Sequence, residues 1–382
     1  MRFRTAFAVA VLLLGCRGSE PLQEGPPTFS LEEVARFGSV DAGGSALTSV
    51  TSIALTDSTL LVLESEPPRV AVFNRNGEWL RDIGRQGDGP GELQFPTHLG
   101  VADGQVWVGD PFGGRLEVFR PDGSASASYR WSIAADSLGE MSMPTALLAD
   151  GSVLAAPRRM IRQSTTHRSY YTATTSGEIS SRLYQETVSA TDIFSGGLPG
   201  GAFVVGRHPL PESPLVTPYP DGSGLVVVER PEADDASDTS FRLLVIEPDG
   251  SMELTAAVPY VPRSAADWLD GYIERREQAM LEEEGRVNRD VLRLIREALV
   301  QRRFYPPVTD VAAGTDGSLW LRREEVAGEP VTWQVLSRSG ILQGYLPTPA
   351  ALELLLVSLE EVWAVERDAL DVPFVVQYRV QR

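Results

Sequence analysis

The sequence has 382 residues, 42% of them hydrophobic, and 52 acidic against 34 basic side chains give a formal net charge of −18. So large an acidic excess excludes nucleic acid and direct adhesion to anionic lipid head groups, both of which need a basic surface. A single cysteine, Cys16, excludes a disulfide framework, so the folded part must be stable on its apolar core alone.

The chain begins with a short basic segment, Arg2 and Arg4, followed by an apolar run from Ala6 to Leu14. That run is about half as long as a membrane-spanning helix needs, so residues 1–15 read as a secretory signal. It ends in Leu13-Leu14-Gly15-Cys16, which resembles the lipobox of bacterial lipoproteins. The resemblance implies cleavage before Cys16 and lipidation of its thiol. Residues 16–27, rich in Pro, Gly and Glu, then form a solvated tether. Loss of Arg2 and Arg4 takes the net charge to about −20. The expectation is an exported monomer held to the membrane by its lipid only, on the periplasmic side or the cell surface.

From residue 28 onward one unit recurs. Arg69 to Gly77 (RVAVFNRNG) aligns without a gap on Arg115 to Gly123 (RLEVFRPDG) and on Arg242 to Gly250 (RLLVIEPDG), with looser copies at Thr332 to Gly340 and Ser169 to Gly177. Each is an alternating strand closed by a turn in which glycine supplies a positive φ. A second signal, two short apolar strands about a turn, precedes each copy at Ile53–Glu64, Leu99–Asp110, Ala146–Pro157, Thr217–Glu229 and Val311–Arg322; a sixth, Leu354–Glu366, precedes the last strand of the chain. Together they make six four-stranded antiparallel units, each too small to bury its own apolar face. Six such sheets arranged radially predict an all-β fold, a six-bladed β-propeller over residues 28–382. The sixth unit is one strand short after Phe374 to Val380, and Thr28 to Ser39 is positioned to supply it, which seals the ring and removes an open edge.

The R-x-x-V-F-x-x-x-G pattern, followed by Asp82-Ile83-Gly84-Arg85-Gln86-Gly87 and a Gly-Pro-Gly-Glu-Leu run, resembles the NHL-type repeats of six-bladed propellers. It resembles in particular the bacterial six-bladed propeller lipoproteins. The likeness is specific in the first two blades. Between Gly77 and Gly123 the spacing is 46, but Gly177 to Gly250 and Gly250 to Gly340 span 73 and 90, so the later blades carry insertions. Within about 264–304 the apolar period changes from two to nearly four, which predicts a helical hairpin: a capping box at Ser264 and Asp267, a break at Gly285, and Asn288 capping the second helix. Such an insertion lies on one rim of the disc or over the channel mouth.

Chemistry-bearing motifs are sparse. The glycines from Gly84 to Gly91 are not followed by a helix, so they read as the crossing between blades one and two and not as a phosphate loop. Three histidines are present; His167 and His208 fall in or beside irregular segments and read as exposed loop residues. Arg158, Arg159 and Arg162 form a small basic patch, while Arg302 and Arg303 close the second helix, where cations suit the dipole. One constellation emerges from the repeat alignment: the residue before each inner apolar triplet is Ser52, His98, Thr145, Val216, Asp310 or Glu353, and in a propeller that position lines the channel mouth. His98, Asp310 and Glu353 would meet there from blades two, five and six, where neighbouring carboxylates perturb one another's pKa or hold a divalent cation. The NHL-type lyases hold metal through several channel histidines, and only His98 matches such a place. The reading is a non-enzymatic scaffold that binds a small molecule or a protein at the mouth through His98, Asp310, Glu353, Ser52 and Thr145, with no cofactor assigned. The alternative is a metal-assisted hydrolase or lyase using the same mouth.

Overall fold

In five units the third strand ends in the same turn, whose glycine (Gly77, Gly123, Gly177, Gly250, Gly340) has φ between 80° and 88°. Any side chain there would strain the backbone. The glycine amide closes the turn by donating to the carbonyl three residues back, as from Gly77 to Asn74 at 3.1 Å and from Gly123 to Arg120 at 2.9 Å. A computed structural model of the chain describes residues 26–38, 46–134, 141–157, 167–189, 192–231, 239–299, 302–323 and 330–382. Cys16, Arg158, Arg159 and Arg162 lie outside these residues.

Among the described residues the strands assemble as six antiparallel blade sheets and one separate two-stranded hairpin. After β1 (Ser30–Phe37), blade one is β2 (Val50–Leu55), β3 (Thr59–Ser65), β4 (Pro68–Asn74) and β5 (Trp79–Ile83). Blade two is β6 (His98–Ala102), β7 (Gln105–Asp110), β8 (Arg115–Phe119) and β9 (Ala125–Arg130). A two-residue strand β10 (Ile133–Ala134) borders blade three, which is β11 (Met141–Leu147), β12 (Val153–Pro157), β13 (His167–Ala173) and β14 (Ile179–Thr187). A separate hairpin, β15 (Ile193–Gly197) and β16 (Phe203–Arg207), intervenes before blade four, which is β17 (Leu215–Pro218), β18 (Leu225–Glu229), β19 (Ser240–Ile246) and β20 (Met252–Pro259). Helices α1 (Ala266–Glu284) and α2 (Arg289–Leu299) precede blade five, β21 (Val308–Ala313), β22 (Leu319–Arg323), β23 (Val331–Leu336) and β24 (Leu342–Thr348). Blade six is β25 (Glu353–Val357), β26 (Glu361–Arg367) and β27 (Pro373–Gln381), completed by β1 as its outermost strand. The first strand thus closes the ring against the last, with Ser30 opposite Gln381 and Phe37 opposite Val375.

The innermost strands touch between blades one and two, two and three, four and five, and five and six, and β25 meets β2 where the ring closes. Because the strands within each blade alternate in direction, all blade crossings and all turns between second and third strands share one face, here termed the upper face. The apolar faces are buried between blades. Leu61, Leu63, Val70 and Val72 of blade one pack on Leu99, Val106 and Val108 of blade two, and Trp320 and Val335 of blade five pack on Val362, Ala364 and Val376 of blade six. Trp363, fully buried, seals the closure against Phe37 with ring centroids 5.3 Å apart.

The arginine that opens the recurring motif is a clamp. Arg69 pairs with Glu64 at 2.7 Å, Arg115 with Asp110 at 3.0 Å and Arg242 with Glu229 at 2.7 Å, each acid standing at or near the end of the second strand. Asp110 also accepts the N–H groups of Gln94 (2.8 Å), Phe95 (3.1 Å) and Gly113 (3.0 Å), and Arg115 donates to the Gly87 carbonyl at 2.8 Å. The glycine run is therefore stapled down as a blade crossing. Gly91 is required there because an added Cβ would lie 2.9 Å from that of Ala125.

Both insertions interrupt blade crossings, so both rise from the upper face. α1 stops at Gly285 in a left-handed cap, and Asn288 Oδ1 accepts the Val291 N–H at 3.2 Å to start α2. The N-cap of α1 is Ala265 and not Ser264; the Ser264 hydroxyl accepts the Ala266 N–H at 3.3 Å, and its backbone bridges to Phe304, joining the two ends of the insertion, while the Asp267 side chain of the expected capping box lies outside the described residues. Helix α2 packs on β15, with Ile295 and Leu299 against Phe194. Gly196 permits that approach, since a Cβ there would sit 2.5 Å from Leu294 Cδ2.

Candidate functional site

The positions aligned in the sequence all fall in the upper part of the inner strands. Ser52 pairs with Leu63, His98 with Gly109, Val216 with Val227, Asp310 with Arg322 and Glu353 with Val365. Thr145 sits in a β-bulge of β11, between the pairs Pro144–Ala155 and Ala146–Leu154. Bulges also interrupt β2, β21 and β25 near their upper ends, and each re-aims the side chains beside the channel.

Three of the six positions share one cavity of about 420 Å³ on the upper face. Blade two contributes Thr97, His98, Pro111 and Phe112, and blade three contributes Thr145, Leu154, Ala156, Pro157 and Tyr170. Val216, Pro218 and Leu225 come from blade four, and Arg207 reaches in from β16. His98 is oriented by its neighbour, with Nδ1 2.7 Å from the Thr97 hydroxyl, while the Thr145 hydroxyl donates to the Met143 carbonyl at 2.9 Å. Blades two and three can close this tightly because position 109 is glycine: a Cβ there would lie 2.2 Å from the Thr145 carbonyl oxygen. The walls are therefore mostly apolar, with few polar groups held in fixed directions, the usual constitution of a small-molecule site.

Ser52, Asp310 and Glu353 are not in these walls. Asp310 is solvent-facing yet surrounded by protein at depth; that desolvation holds its carboxyl above the ordinary range, against the Val311 N–H at 2.8 Å and the charge of Arg322, which favour the anion. Glu353 is exposed at the start of β25. Among the described residues no three His, Cys, Asp or Glu side chains stand together as metal ligands.

Two readings of the sequence are corrected. His208 is not an exposed loop residue: it follows β16, is 2% exposed, and accepts the Leu210 N–H on Nδ1 at 3.0 Å. Burial, reinforced by the nearby Arg302 guanidinium, pushes its pKa down to about 4. Arg302 does not cap a helix dipole at the surface. It is 4% exposed and pairs with Asp192 at 2.9 Å and with Glu212, joining the segment after α2 to the segments flanking β15 and β16. His167, by contrast, is exposed at the start of β13. Beside this cavity lies a charged cleft of about 120 Å³ with Arg168, Glu186, Asp192, Arg207, His208 and Arg230 in its walls.

Arg207, Phe112 and Tyr170 are lining residues that the repeat alignment misses because it follows only inner strands. The hairpin had a local signal, Leu198-Pro199-Gly200-Gly201 between two β-prone runs, Ile193-Phe194-Ser195 and Phe203-Val204-Val205.

A family model described as a six-bladed β-propeller matches residues 44–110, which are blade one and the inner hairpin of blade two. No curated protein matches the chain. Among solved structures, a Bacteroides fragilis protein described as exported superposes with a TM-score of 0.51 at 13% identity, covering 93% of this chain and 96% of its own. A Bacteroides vulgatus member of the DUF4221 family gives 0.48 at 10% identity, covering 93% and 99%. At such identities the likeness concerns the fold, and the chain is a six-bladed β-propeller with a helical hairpin inserted between blades four and five.

Proposed function

We propose that this propeller is a non-enzymatic binding protein of the bacterial cell envelope, with NHL-like blades and a lipid anchor at Cys16, and that it seats a small molecule in the upper-face cavity between blades two and four. The observation that carries the reading is the cavity itself, whose volume of about 420 Å³ falls within the range of small-molecule sites and whose walls come from three blades and an inserted hairpin. His98 and Thr145 support it from the sequence side. Ser52, Asp310 and Glu353 belong to the same ring of positions but line a different part of it. Export accords with the character of the Bacteroides fragilis neighbour, and no helix among the described residues is long and apolar enough to cross a membrane.

The test is a fluorescence titration with phenylnaphthylamine, a neutral apolar probe, on the native protein and on Ala156→Phe, which fills the cavity from β12. Saturable one-to-one binding that is lost in Ala156→Phe, with the unfolding temperature preserved, is the expected result. Equal binding by both proteins would overturn the reading.

A further inference from the structure

We infer that the cavity takes an amphipathic organic anion, an apolar body with one anionic head, and that Arg207 receives the head; this rests on the proposed binding role of the same cavity. The argument is one of charge placement. The chain as a whole carries −18, yet among the described residues no carboxylate lines the cavity, and Arg207 is its one formally charged side chain. A cation would be desolvated there without a counter-charge, whereas a carboxylate or sulfonate gains charge-assisted hydrogen bonds from a guanidinium.

The surroundings of Arg207 reinforce the sign. Behind it, in and beside the charged cleft, stand Arg168, Arg230 and Arg302 with Glu186, Asp192 and Glu212. The acids have cationic partners of their own, Glu186 with Arg168 at 3.4 Å and Asp192 with Arg302 at 2.9 Å, while Glu212 also meets Arg302. Arg230 is directed to the carbonyl of Ser213 at 3.0 Å and that of Val308 at 3.1 Å. Among the described residues Arg207 thus stands in a cluster of four arginines and three carboxylates, in a molecule whose acids outnumber its bases.

The apolar part of the ligand has its counterpart too. Strand β16 alternates, so Arg207, Val205 and Phe203 share a face, while Gly206 lies on the other, against the Phe194 ring. Phe203 is 62% exposed and Val205 38%. At the cavity itself, Phe112 (51% exposed) forms an edge-to-face pair with Phe95 at 6.3 Å. A charged head at Arg207 thus has apolar surface continuing from it along the hairpin and across the cavity.

The experiment pairs two probes with related aromatic bodies, anilinonaphthalene sulfonate (anionic) and phenylnaphthylamine (neutral), titrated on the full-length protein. Arg207→Gln should weaken the sulfonate about tenfold or more and leave the neutral probe within about twofold. Arg207→Lys, which keeps the charge, should retain most of the sulfonate affinity, and it serves if the glutamine variant does not fold. Equal effects of Arg207→Gln on both probes, or no effect on the sulfonate, would overturn the anion assignment while leaving the binding role intact. If the neutral probe binds Ala156→Phe as it binds the native protein, the binding role itself fails.

Discussion

Arg115 in blade two and Arg302 after the helical insertion perform the same task in two differently built regions. Each is a buried guanidinium that neutralises buried carboxylate: Asp110 for Arg115, and Asp192 with Glu212 for Arg302. The first is part of the repeat and recurs as Arg69 with Glu64 and Arg242 with Glu229. The second occurs once and joins segments more than a hundred residues apart. Regular blades hold themselves with local, repeated contacts, whereas the embellished side of the disc depends on one long-range knot, and it is there that the cavity gains Arg207.

The contrast can be broken experimentally. The largest effect is expected for Arg302→Met, which strands two buried acids: local stability of the insertions should fall by about 4–5 kcal/mol. Hydrogen exchange should show it as lost protection in β15, β16 and α2, with β3 and β4 unchanged; equal loss in all of them would mean the two regions are not independent. Arg115→Met strands one acid that keeps three backbone donors, so a fall of about 3 kcal/mol in denaturant unfolding is expected, now centred on blades one and two.

Next comes the pH response of His208. Its folded pKa of about 4 lies below the unfolded value, so between about pH 6.5 and 4 the unfolded chain binds a proton that the folded chain does not. Stability should therefore fall with pH across that window, by up to about 3 kcal/mol, and His208→Gln should flatten the slope. An unchanged slope would place His208 in contact with water. The smallest effect is expected at Asp310, where the folded state disfavours the anion. Asp310→Asn should raise stability at neutral pH by a few tenths of a kcal/mol, discounted for its contact with solvent, and the gain should vanish as the pH falls below the ordinary carboxylate range.

Legibility in the sequence follows the same division. The six blades, the closing strand, the glycine crossing and the helical hairpin could all be read because each is encoded locally, by alternation, by Asp-Gly or Asn-Gly turns, or by a change of period. His98 and Thr145 could be found because they stand at equivalent points of a repeat. What equivalence could not convey is environment. Val216, at the same register, joins the cavity wall, whereas Asp310 and Glu353 do not, because the inserted hairpin and the side chains beyond the inner strands shape the cavity only on the side of blades two to four. The environments of His208 and Arg302 escape the sequence for the same reason: their burial is created by partners from segments remote in sequence, and no local pattern announces it.

The closing strand has a consequence for orientation. β1 runs antiparallel to β27, which descends from the upper face, so β1 starts at the lower face, and Thr28 just before it bridges to Tyr345 in the outermost strand of blade five. The ten residues from 17 to 26 span at most about 35 Å when fully extended. Under the proposed anchorage at Cys16, the lower face is the one nearer the attachment point, and the cavity opens on the opposite face, toward what diffuses past the membrane.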